Sequence, residues 1–286
     1  MTQNKGTMQD KIKASIELLR HGERLAVAMN PKGYMVAFSG GKDSVVTLDI
    51  VKKAEVKHFV VHSVTGIDSP ITMRFMKENY PEIQYIHQKR NVIQMIEEFG
   101  MPTMGKRYCC SKTKENVGAG YVVVVGVRAA ESAKRAKGAA VEVDSRRVEN
   151  IKKGRKRTLE QIYSAEHQCI KGKDKVLLKP LFEWTDAEIW RYISLNNLPI
   201  NPEYNNSGRV GCMFCPFASK EQIESYEKRF PMYKKRILLA VERCMKKHEK
   251  RYFNTPEEYY EWWKSKVSVS KYKSALGGAG DLTGLL

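Results

Sequence analysis

Short β-rich segments alternate with segments of helical periodicity in the first half of the chain. Apolar runs rich in β-branched and aromatic residues lie at 34–38, 57–62, 83–87 and 121–125. Segments 43–53 and 91–99 carry apolar residues at helical spacing. This alternation predicts an α/β domain whose parallel sheet has helices on both faces. Because ligands of such sheets bind beyond the carboxyl ends of the strands, we expect a site just after Phe38, His62 and Val125.

The second half of the chain has a different pattern. Helical segments rich in aromatic residues follow Leu181, at 186–195, 220–230, 232–250 and 256–266. Thr185 has the side chain of a helix N-cap and would begin the first of them. The change in pattern predicts an α/β domain over residues 1–180 and a helical C-terminal region over residues 181–286.

A basic stretch over residues 134–157 precedes this change. It contains glycine and few large apolar side chains, and its cations are Lys134, Arg135, Lys137, Arg146, Arg147, Lys152, Lys153, Arg155, Lys156 and Arg157. We expect a mobile segment without regular structure. A solvated loop and a lid or phosphate-backbone contact both fit this composition.

The segment Ser39-Gly-Gly-Lys-Asp-Ser44 lies between the first predicted strand and its helix. Backbone amides and the helix dipole form an anion site at such a junction. Gly40 and Gly41 permit a tight turn against phosphate oxygens, Lys42 supplies positive charge, and Asp43 can hold Mg²⁺ or orient the loop. The segment is shorter than the Gly-Lys-Ser/Thr nucleotide loop and has an intervening Asp, so it predicts a different class of phosphate site.

Net charge adds a second expectation. The chain has 50 Lys and Arg against 32 Asp and Glu, giving a net charge of +18. Such an excess attracts polyanions and favours contact with nucleic acid, although a basic surface around a small anionic ligand also fits. No apolar run reaches the length of a membrane span and no signal peptide is recognisable, so we expect a cytoplasmic protein without membrane contact.

Four of the six cysteines are clustered. Cys109 and Cys110 are adjacent, and Cys212 and Cys215 form a pair separated by two residues. Clustered cysteines in a reducing compartment ligate metal or perform chemistry more often than they form disulfides. Adjacent thiols diverge and would strain a tetrahedral zinc site, whereas a cubane cluster offers separate irons. The pattern favours an iron–sulfur cluster, with zinc and unligated thiols as alternatives.

The loop and the cysteines together resemble the phosphoadenosine phosphosulfate (PAPS) reductase-like family of the ATP pyrophosphatase (PP-loop) superfamily, over about residues 30–220. Further similar motifs are Gly126-Val-Arg-Ala-Ala-Glu-Ser132 with Arg135, the stretch from Pro180 to Trp190, Asn201-Pro-Glu-Tyr204, and Arg209-Val-Gly-Cys212. The resemblance implies an adenine nucleotide alpha-hydrolase-like (HUP) fold and an enzyme that binds an adenosine nucleotide.

The resemblance also implies roles for particular residues. The implied nucleotide-binding residues are Ser39, Gly40, Gly41, Lys42, Asp43, Ser44, His62, Thr65, Asp68, Gly126, Arg128 and Arg135. Among them, Lys42, Asp43 and Arg128 would be catalytic, with Mg²⁺ bridging the phosphates. The implied ligands of a [4Fe-4S] cluster are Cys109, Cys110, Cys212 and Cys215.

Two departures from the classical sulfonucleotide reductases favour ATP as the substrate over adenosine phosphosulfate (APS) or PAPS. Those reductases end in a tail whose cysteine attacks sulfur, whereas no cysteine follows Cys244 here. They also have a degraded phosphate loop, whereas the phosphate loop of this chain is complete. The leading hypothesis is adenylylation of an acceptor oxygen, followed by displacement of AMP by sulfur. The favoured acceptor is tRNA or DNA.

Two other functions stay open. One is a sulfonucleotide reductase that borrows a thiol from a partner such as thioredoxin. The other is a nucleotide-binding accessory or redox-sensing protein. In the leading hypothesis the sulfur comes from a cysteine desulfurase, from the cluster or from a persulfide on Cys169, and a structural thiol is the alternative interpretation of Cys169.

Overall fold

The computed structural model describes residues 7–144, 175–248 and 252–275. Its strands are β1 (Tyr34–Ala37), β2 (His58–Val64), β3 (Gln84–His87), β4 (Val122–Val124), β5 (Val141–Asp144) and β6 (Lys175–Leu178). Its first helices are α1 (Met8–Met29), α2 (Lys42–Ala54), α3 (Pro70–Asn79), α4 (Val92–Phe99), α5 (Tyr108–Thr113) and α6 (Ala133–Ala136). The later helices are α7 (Asp186–Leu195), α8 (Glu203–Ser207), α9 (Lys220–Arg229), α10 (Pro231–Lys247), α11 (Pro256–Ser265) and α12 (Val269–Ala275).

A mainly parallel sheet confirms the predicted α/β class. Its strand order is β3-β2-β1-β4-β6-β5. Strand β1 pairs in parallel with β2 and β4, and β4 pairs in parallel with β6. Because β1 and β4 are parallel neighbours, the segments that follow Ala37 and Val124 leave the same edge of the sheet side by side. The phosphate loop therefore lies next to the segment that begins at Val125.

The strands are apolar on both faces, as expected of a sheet covered by helices on both sides. Val36, Val122 and Val124 have no exposed surface, while Met35 and Val123, which alternate with them, are 3% exposed. Helices α1 and α2 contribute Leu19, Leu48, Ile50 and Val51 to the larger core cluster, and each of these is almost fully buried.

The basic stretch that begins at residue 134 is more ordered than expected. Helix α6 and strand β5 lie within it, and β5 pairs antiparallel with β6. The expectation of a segment without regular structure is therefore wrong for residues 134–136 and 141–144. Val141 and Val143 alternate with acidic residues, and this period of two forms an edge strand whose Val141 is buried. Arg146, Arg147, Lys152, Lys153, Arg155, Lys156 and Arg157 lie outside the described residues.

The chain forms two compact units, each assembled from separate stretches. Unit 1 comprises Met1–Ser63, Pro70–Ile86 and Asn116–Val210, and unit 2 comprises Val64–Ser69, His87–Glu115 and Gly211–Leu286. These units differ from the predicted division at residue 180, because α7 belongs to the α/β unit. Within that unit, Tyr192 on α7 donates a hydrogen bond to Asp49 (2.6 Å) and accepts one from Lys53 (2.8 Å), both on α2.

Unit 2 has its own core, in which α4 packs against α10. Ile93 and Ile96 on α4, and Ile237 and Val241 on α10, are buried in the same cluster. The indole N–H of Trp263 on α11 donates to the carbonyl oxygen of Pro102 at 2.6 Å. None of the helices in the described ranges combines the length and apolarity needed to cross a membrane.

Candidate functional site

The loop Ser39–Ser44 connects the carboxyl end of β1 to the first turn of α2. Gly40 has φ +73°, a left-handed conformation that glycine adopts without strain. The Ser44 hydroxyl donates to the carbonyl oxygen of Gly41 at 2.8 Å, and the Ser39 amide donates to the Ser44 hydroxyl at 3.3 Å. Gly41 is the N-cap of α2 and carries no side chain to cover the helix end. The arrangement presents a helix N-terminus suited to an anion.

Three residues outside the loop hold it in place. The amide nitrogen of Asn201 donates to the carbonyl oxygen of Gly40 at 3.0 Å and to the Thr72 hydroxyl at 3.1 Å. The backbone amide of Lys42 donates to the Tyr204 hydroxyl at 2.9 Å. A Cβ at Gly40 would lie 3.0 Å from the Thr72 methyl carbon, so this support leaves little room for a side chain.

Two cations and two carboxylates form a network beside the loop. Lys42 Nζ lies 3.0 Å from Asp186 and 3.3 Å from Asp43. Arg128 Nε lies 2.5 Å from Asp43, and its Nη2 lies 2.9 Å from Asp186. The Arg128 side chain is only 3% exposed. The structure thus brings together the three predicted catalytic residues, Lys42, Asp43 and Arg128.

The network keeps its groups charged. Burial acts to lower the pKa of Lys42, but Asp43 and Asp186 outweigh burial and the pKa is raised. Burial likewise opposes the charged form of Arg128, whose pKa is raised by Asp43 and Asp186. The pKa of Asp186 is lowered, because Lys42 and Arg128 outweigh the effect of burial. Lys42 and Arg128 are therefore both positively charged at neutral pH, and Asp43 and Asp186 balance their charges in this structure.

Gly126 allows β4 and α2 to approach each other at this network. A Cβ at Gly126 would lie 2.8 Å from the carbonyl oxygen of Asp43 and 2.9 Å from the Thr47 hydroxyl. That hydroxyl donates to the same carbonyl oxygen at 2.7 Å, so both atoms are fixed in place. A larger residue at Gly126 would separate Arg128 from Asp43.

The structure places the other predicted nucleotide residues in different surroundings. His62 is buried in β2, with Nδ1 2.8 Å from the carbonyl oxygen of Phe38. Arg135 lies exposed on α6 and forms an ion pair with Glu131, whose carboxylate also accepts the backbone N–H of Arg128 at 2.9 Å. Thr65 and Asp68 belong to unit 2, where the Thr65 amide donates to Asp68 at 2.7 Å.

Asp186 is the residue of this network that the sequence did not reveal as a site residue. It follows Thr185, whose hydroxyl accepts the Glu188 amide in a capping box, so an acidic residue there is explained by the helix dipole. Its contact with Lys42 joins residues far apart in the chain. The sequence signal that could have identified Asp186 as a site residue was its place in the Pro180–Trp190 motif.

The four clustered cysteines lie in unit 2. Cys109 and Cys110 are on α5, whereas Cys212 and Cys215 lie in the segment before α9. Asp68 and Cys212 form an antiparallel bridge, and the Thr65 hydroxyl is 3.7 Å from the Cys212 sulfur. Thr65 and Asp68, predicted for the nucleotide, therefore lie beside Cys212.

Positive groups surround these thiols. Lys114 Nζ donates to the Cys212 sulfur at 3.3 Å. A hydrogen bond from Cys109 lowers the pKa of Cys110, and Arg107 and Lys114 contribute to the same shift. The pKa of Cys109 is raised, chiefly because it gives that hydrogen bond to Cys110. Burial raises the pKa of Cys212, and Lys114 opposes the shift.

Lys266, which belongs to the same unit, has unusual surroundings. Burial lowers the pKa of Lys266, and the electrostatic interaction with Cys215 opposes the shift. Its Nζ is buried without a hydrogen-bond partner among the described residues. It lies 4.3 Å from the centroid of the Trp263 ring.

The sequence suggested two metal groups for the four clustered cysteines, a zinc ion and an iron–sulfur cluster. In residues 7–144, 175–248 and 252–275, no three His, Cys, Asp or Glu side chains are arranged to hold one metal ion. A single zinc ion needs such an arrangement, whereas a cubane cluster takes each thiolate on a separate iron. The four cysteines lie in one unit with Lys114 Nζ 3.3 Å from the Cys212 sulfur, and four cysteine thiolates are a donor set of iron–sulfur clusters. Cys169 lies outside the described residues.

Comparison with known proteins extends these observations. Residues 33–218 match the family described as the phosphoadenosine phosphosulfate reductase domain. An uncharacterized protein of Methanocaldococcus jannaschii is 28% identical over 214 residues, which are 70% of this chain and 39% of that protein. The match thus spans well under half of this relative's length.

Two further proteins are similar. An adenosine 5'-phosphosulfate reductase of Lysinibacillus sphaericus is 23% identical over 63% of this chain and 71% of its own length. A solved structure, the U34-tRNA thiolase NcsA from Methanococcus maripaludis with its [4Fe-4S] cluster, is 12% identical. It covers 97% of this chain and 86% of its own, with a TM-score of 0.42. Because the matched domain spans more than half of the chain and contains the phosphate loop, the chain belongs to the phosphoadenosine phosphosulfate reductase family.

Proposed function

We propose that this protein binds ATP at Ser39–Ser44 and transfers its adenylyl group to an acceptor, so that sulfur can then replace the activated oxygen. The observation that carries the proposal is the complete phosphate loop with Lys42 and Arg128 beside it. A loop with both cations is suited to a triphosphate, whose cleavage between the α- and β-phosphates releases pyrophosphate.

The first step is an in-line displacement at the α-phosphorus. An acceptor oxygen forms a bond to this phosphorus while the bond to the bridging oxygen breaks, and the electron pair leaves with pyrophosphate. The site needs to position the reactants and neutralise charge on the phosphate oxygens. Lys42 and Arg128 would supply the positive charge, and the helix N-terminus would bind the β- and γ-phosphates.

The carboxylates of the network would have a second role. Asp43 and Asp186 neutralise Lys42 and Arg128 in the structure, which prevents repulsion between the two cations. Carboxylate oxygens are also ligands that Mg²⁺ prefers, so Asp43 and Asp186 would hold Mg²⁺ when it arrives with ATP. Bound Mg²⁺ would neutralise part of the charge on the phosphates.

The second step breaks the bond between the acceptor and AMP. A hydrosulfide-level sulfur donates its electron pair to the activated atom and AMP leaves with the bonding pair, so the step requires no net oxidation. A [4Fe-4S] cluster would be held by Cys109, Cys110, Cys212 and Cys215, which provide one thiolate for each iron, so the hydrosulfide would come from an external donor and not from an open iron position. Arg107 and Lys114 would offset the negative charge of the thiolates.

Nucleic acid is the proposed acceptor. The net charge of +18 favours a polyanion, because neutralised phosphates release counterions.

A sulfonucleotide reductase is the second candidate function, and the relative from Lysinibacillus sphaericus favours it, since the match covers 71% of that reductase. The two candidates need the same phosphate loop but consume different nucleotides.

The acceptor is tested by pyrophosphate release from ATP and Mg²⁺ under anaerobic conditions, with and without bulk tRNA or DNA. We expect nucleic acid to increase the rate at least about tenfold, because the α-phosphorus lacks a productive nucleophile without it. The stimulation should weaken as salt rises. An equal rate of ATP cleavage with and without either nucleic acid would contradict the proposed acceptor.

A further inference from the structure

The hydroxyl group of Tyr204 lies at the N-terminus of α2, within the phosphate loop. It accepts the backbone N–H of Lys42 at 2.9 Å. Lys42 is the first residue of α2, and the amides of a first helical turn have no partner within the helix and are the ones that bind anions. Tyr204 therefore places a hydroxyl among the donors of the proposed phosphate site.

The hydrogen of this hydroxyl is available to a ligand. A tyrosine hydroxyl accepts hydrogen bonds through its oxygen and donates one through its hydrogen. Within residues 7–144, 175–248 and 252–275, it accepts from Lys42 and has no acceptor for its own hydrogen. Burial raises the pKa of Tyr204 although Lys42 opposes the shift, so the hydroxyl stays protonated at neutral pH. The N–H that it accepts also polarises its O–H bond, which strengthens it as a donor.

The space beside the Gly41 Cα is open and is bordered by two hydroxyls. A Cβ at Gly41 would lie 3.5 Å from Ser39 Oγ and 3.6 Å from Tyr204 Oη, which are ordinary contact distances. Because glycine has no Cβ, a ligand atom can occupy this space without displacing either hydroxyl. Serine and tyrosine hydroxyls are among the groups that donate hydrogen bonds to phosphate oxygens. Ser39 already donates to Ser44 at 3.2 Å, so Tyr204 is the one of the two that has an unused hydrogen.

The position of Tyr204 is fixed by the turn before it and by a neighbouring ring. The Tyr204 amide donates to the carbonyl oxygen of Asn201 at 3.1 Å, and the Asn201 side-chain oxygen accepts the Glu203 amide at 3.0 Å. Asn201 is buried and also donates to the phosphate loop. The Trp190 ring packs edge-on against the Tyr204 ring, with centroids 5.2 Å apart. A donor held in this way needs little rearrangement to bind a ligand.

We propose that Tyr204 is a further binding residue of the phosphate site, whose hydroxyl donates a hydrogen bond to the β- or γ-phosphate of ATP while it accepts the Lys42 N–H. The inference deepens the proposed function and rests on the assignment of Ser39–Ser44 as the phosphate loop. Tyr204 is a neutral donor, so it would add affinity for these phosphates without adding to the repulsion between Lys42 and Arg128. The Asn201-Pro-Glu-Tyr204 motif would thus bind the ligand as well as support the loop.

The test compares wild type with Tyr204→Phe, which keeps the ring against Trp190 and removes only the hydroxyl. The probes are inorganic pyrophosphate and α,β-methylene-ATP, which resists cleavage between its α- and β-phosphates. Calorimetry in the presence of Mg²⁺ measures their dissociation constants. We expect both constants to rise about tenfold or more, because one hydrogen bond to a charged group is lost. The factors should be similar, since both probes carry the group that the hydroxyl would contact.

Tyr192→Phe is the matched control. The Tyr192 hydroxyl also bonds to α2, through Asp49 at 2.6 Å, but further along the helix than the phosphate loop. We expect wild-type affinity for both probes from this variant. Unchanged affinity for pyrophosphate in Tyr204→Phe would overturn the inference, and so would equal losses of affinity in Tyr204→Phe and Tyr192→Phe.

The binding measurements separate this inference from the proposed function. Wild type that binds pyrophosphate but cleaves no ATP in the presence of nucleic acid would contradict the proposed reaction, while the comparison with Tyr204→Phe still tests Tyr204. Wild type that binds neither probe would overturn both.

Discussion

Lys42→Ala is expected to reduce nucleotide turnover by at least about 10²-fold, since removal of one preorganised group that stabilises developing charge has effects of this size. The change removes the ammonium that lies 3.0 Å from Asp186 and 3.3 Å from Asp43. The two carboxylates would then face the phosphates with Arg128 as the remaining cation of the network, so ATP binding should weaken too. Steady-state pyrophosphate formation with and without the substitution measures the effect.

Lys53→Ala is the matched control for this prediction. Lys53 lies on the same helix, but its ammonium contacts Tyr192 and Asn196 at the other end of α2. We expect near wild-type turnover from this variant, and wild-type iron content from both variants. Wild-type turnover in Lys42→Ala would contradict the assignment of the phosphate loop.

The second large effect is expected at the cysteines. Cys212→Ala should lose most of the iron and acid-labile sulfide, because it removes one of four proposed thiolate ligands. It also removes the sulfur that accepts the hydrogen bond from Lys114 at 3.3 Å. Iron and sulfide analysis after anaerobic reconstitution, together with the visible absorbance, checks the result.

Cys244→Ala provides the control for the loss of a thiol as such. Cys244 is buried on α10 in the same unit, but it is not one of the four clustered cysteines. Its substitution should leave the iron content at the wild-type level. Equal metal content in Cys212→Ala and Cys244→Ala would exclude Cys212 as a ligand.

The sequence predicted the features of the structure that a local pattern of residues determines. The strand at 34–37, the turn through Gly40 and Gly41, and the helix from Lys42 follow one another without a break, so residue type and spacing identify them. The parallel sheet follows from the repetition of such units. Arg128 was predicted because a family motif places it after the most β-branched strand.

The parts that the sequence did not predict depend on contacts between distant segments. Asp186 joins Lys42 because α7 packs on α2, and the same packing displaces the boundary expected at residue 180. Strand β5 was not predicted because its alternation of Val141 and Val143 with Glu142 and Asp144 spans only four residues and lies within a longer basic stretch. Thr65 lies beside Cys212 because an antiparallel bridge brings residues 68 and 212 together.

Product analysis with labelled nucleotides tests whether the loop Ser39–Ser44 cleaves ATP between its α- and β-phosphates. The protein is incubated anaerobically with Mg²⁺ and nucleic acid, and with ATP, APS or PAPS in parallel. We expect ATP to yield pyrophosphate together with AMP or an adenylylated acceptor, and Lys42→Ala to abolish both products. Release of sulfite from APS or PAPS with an added thiol, while ATP stays intact, would contradict it and identify a sulfonucleotide reductase.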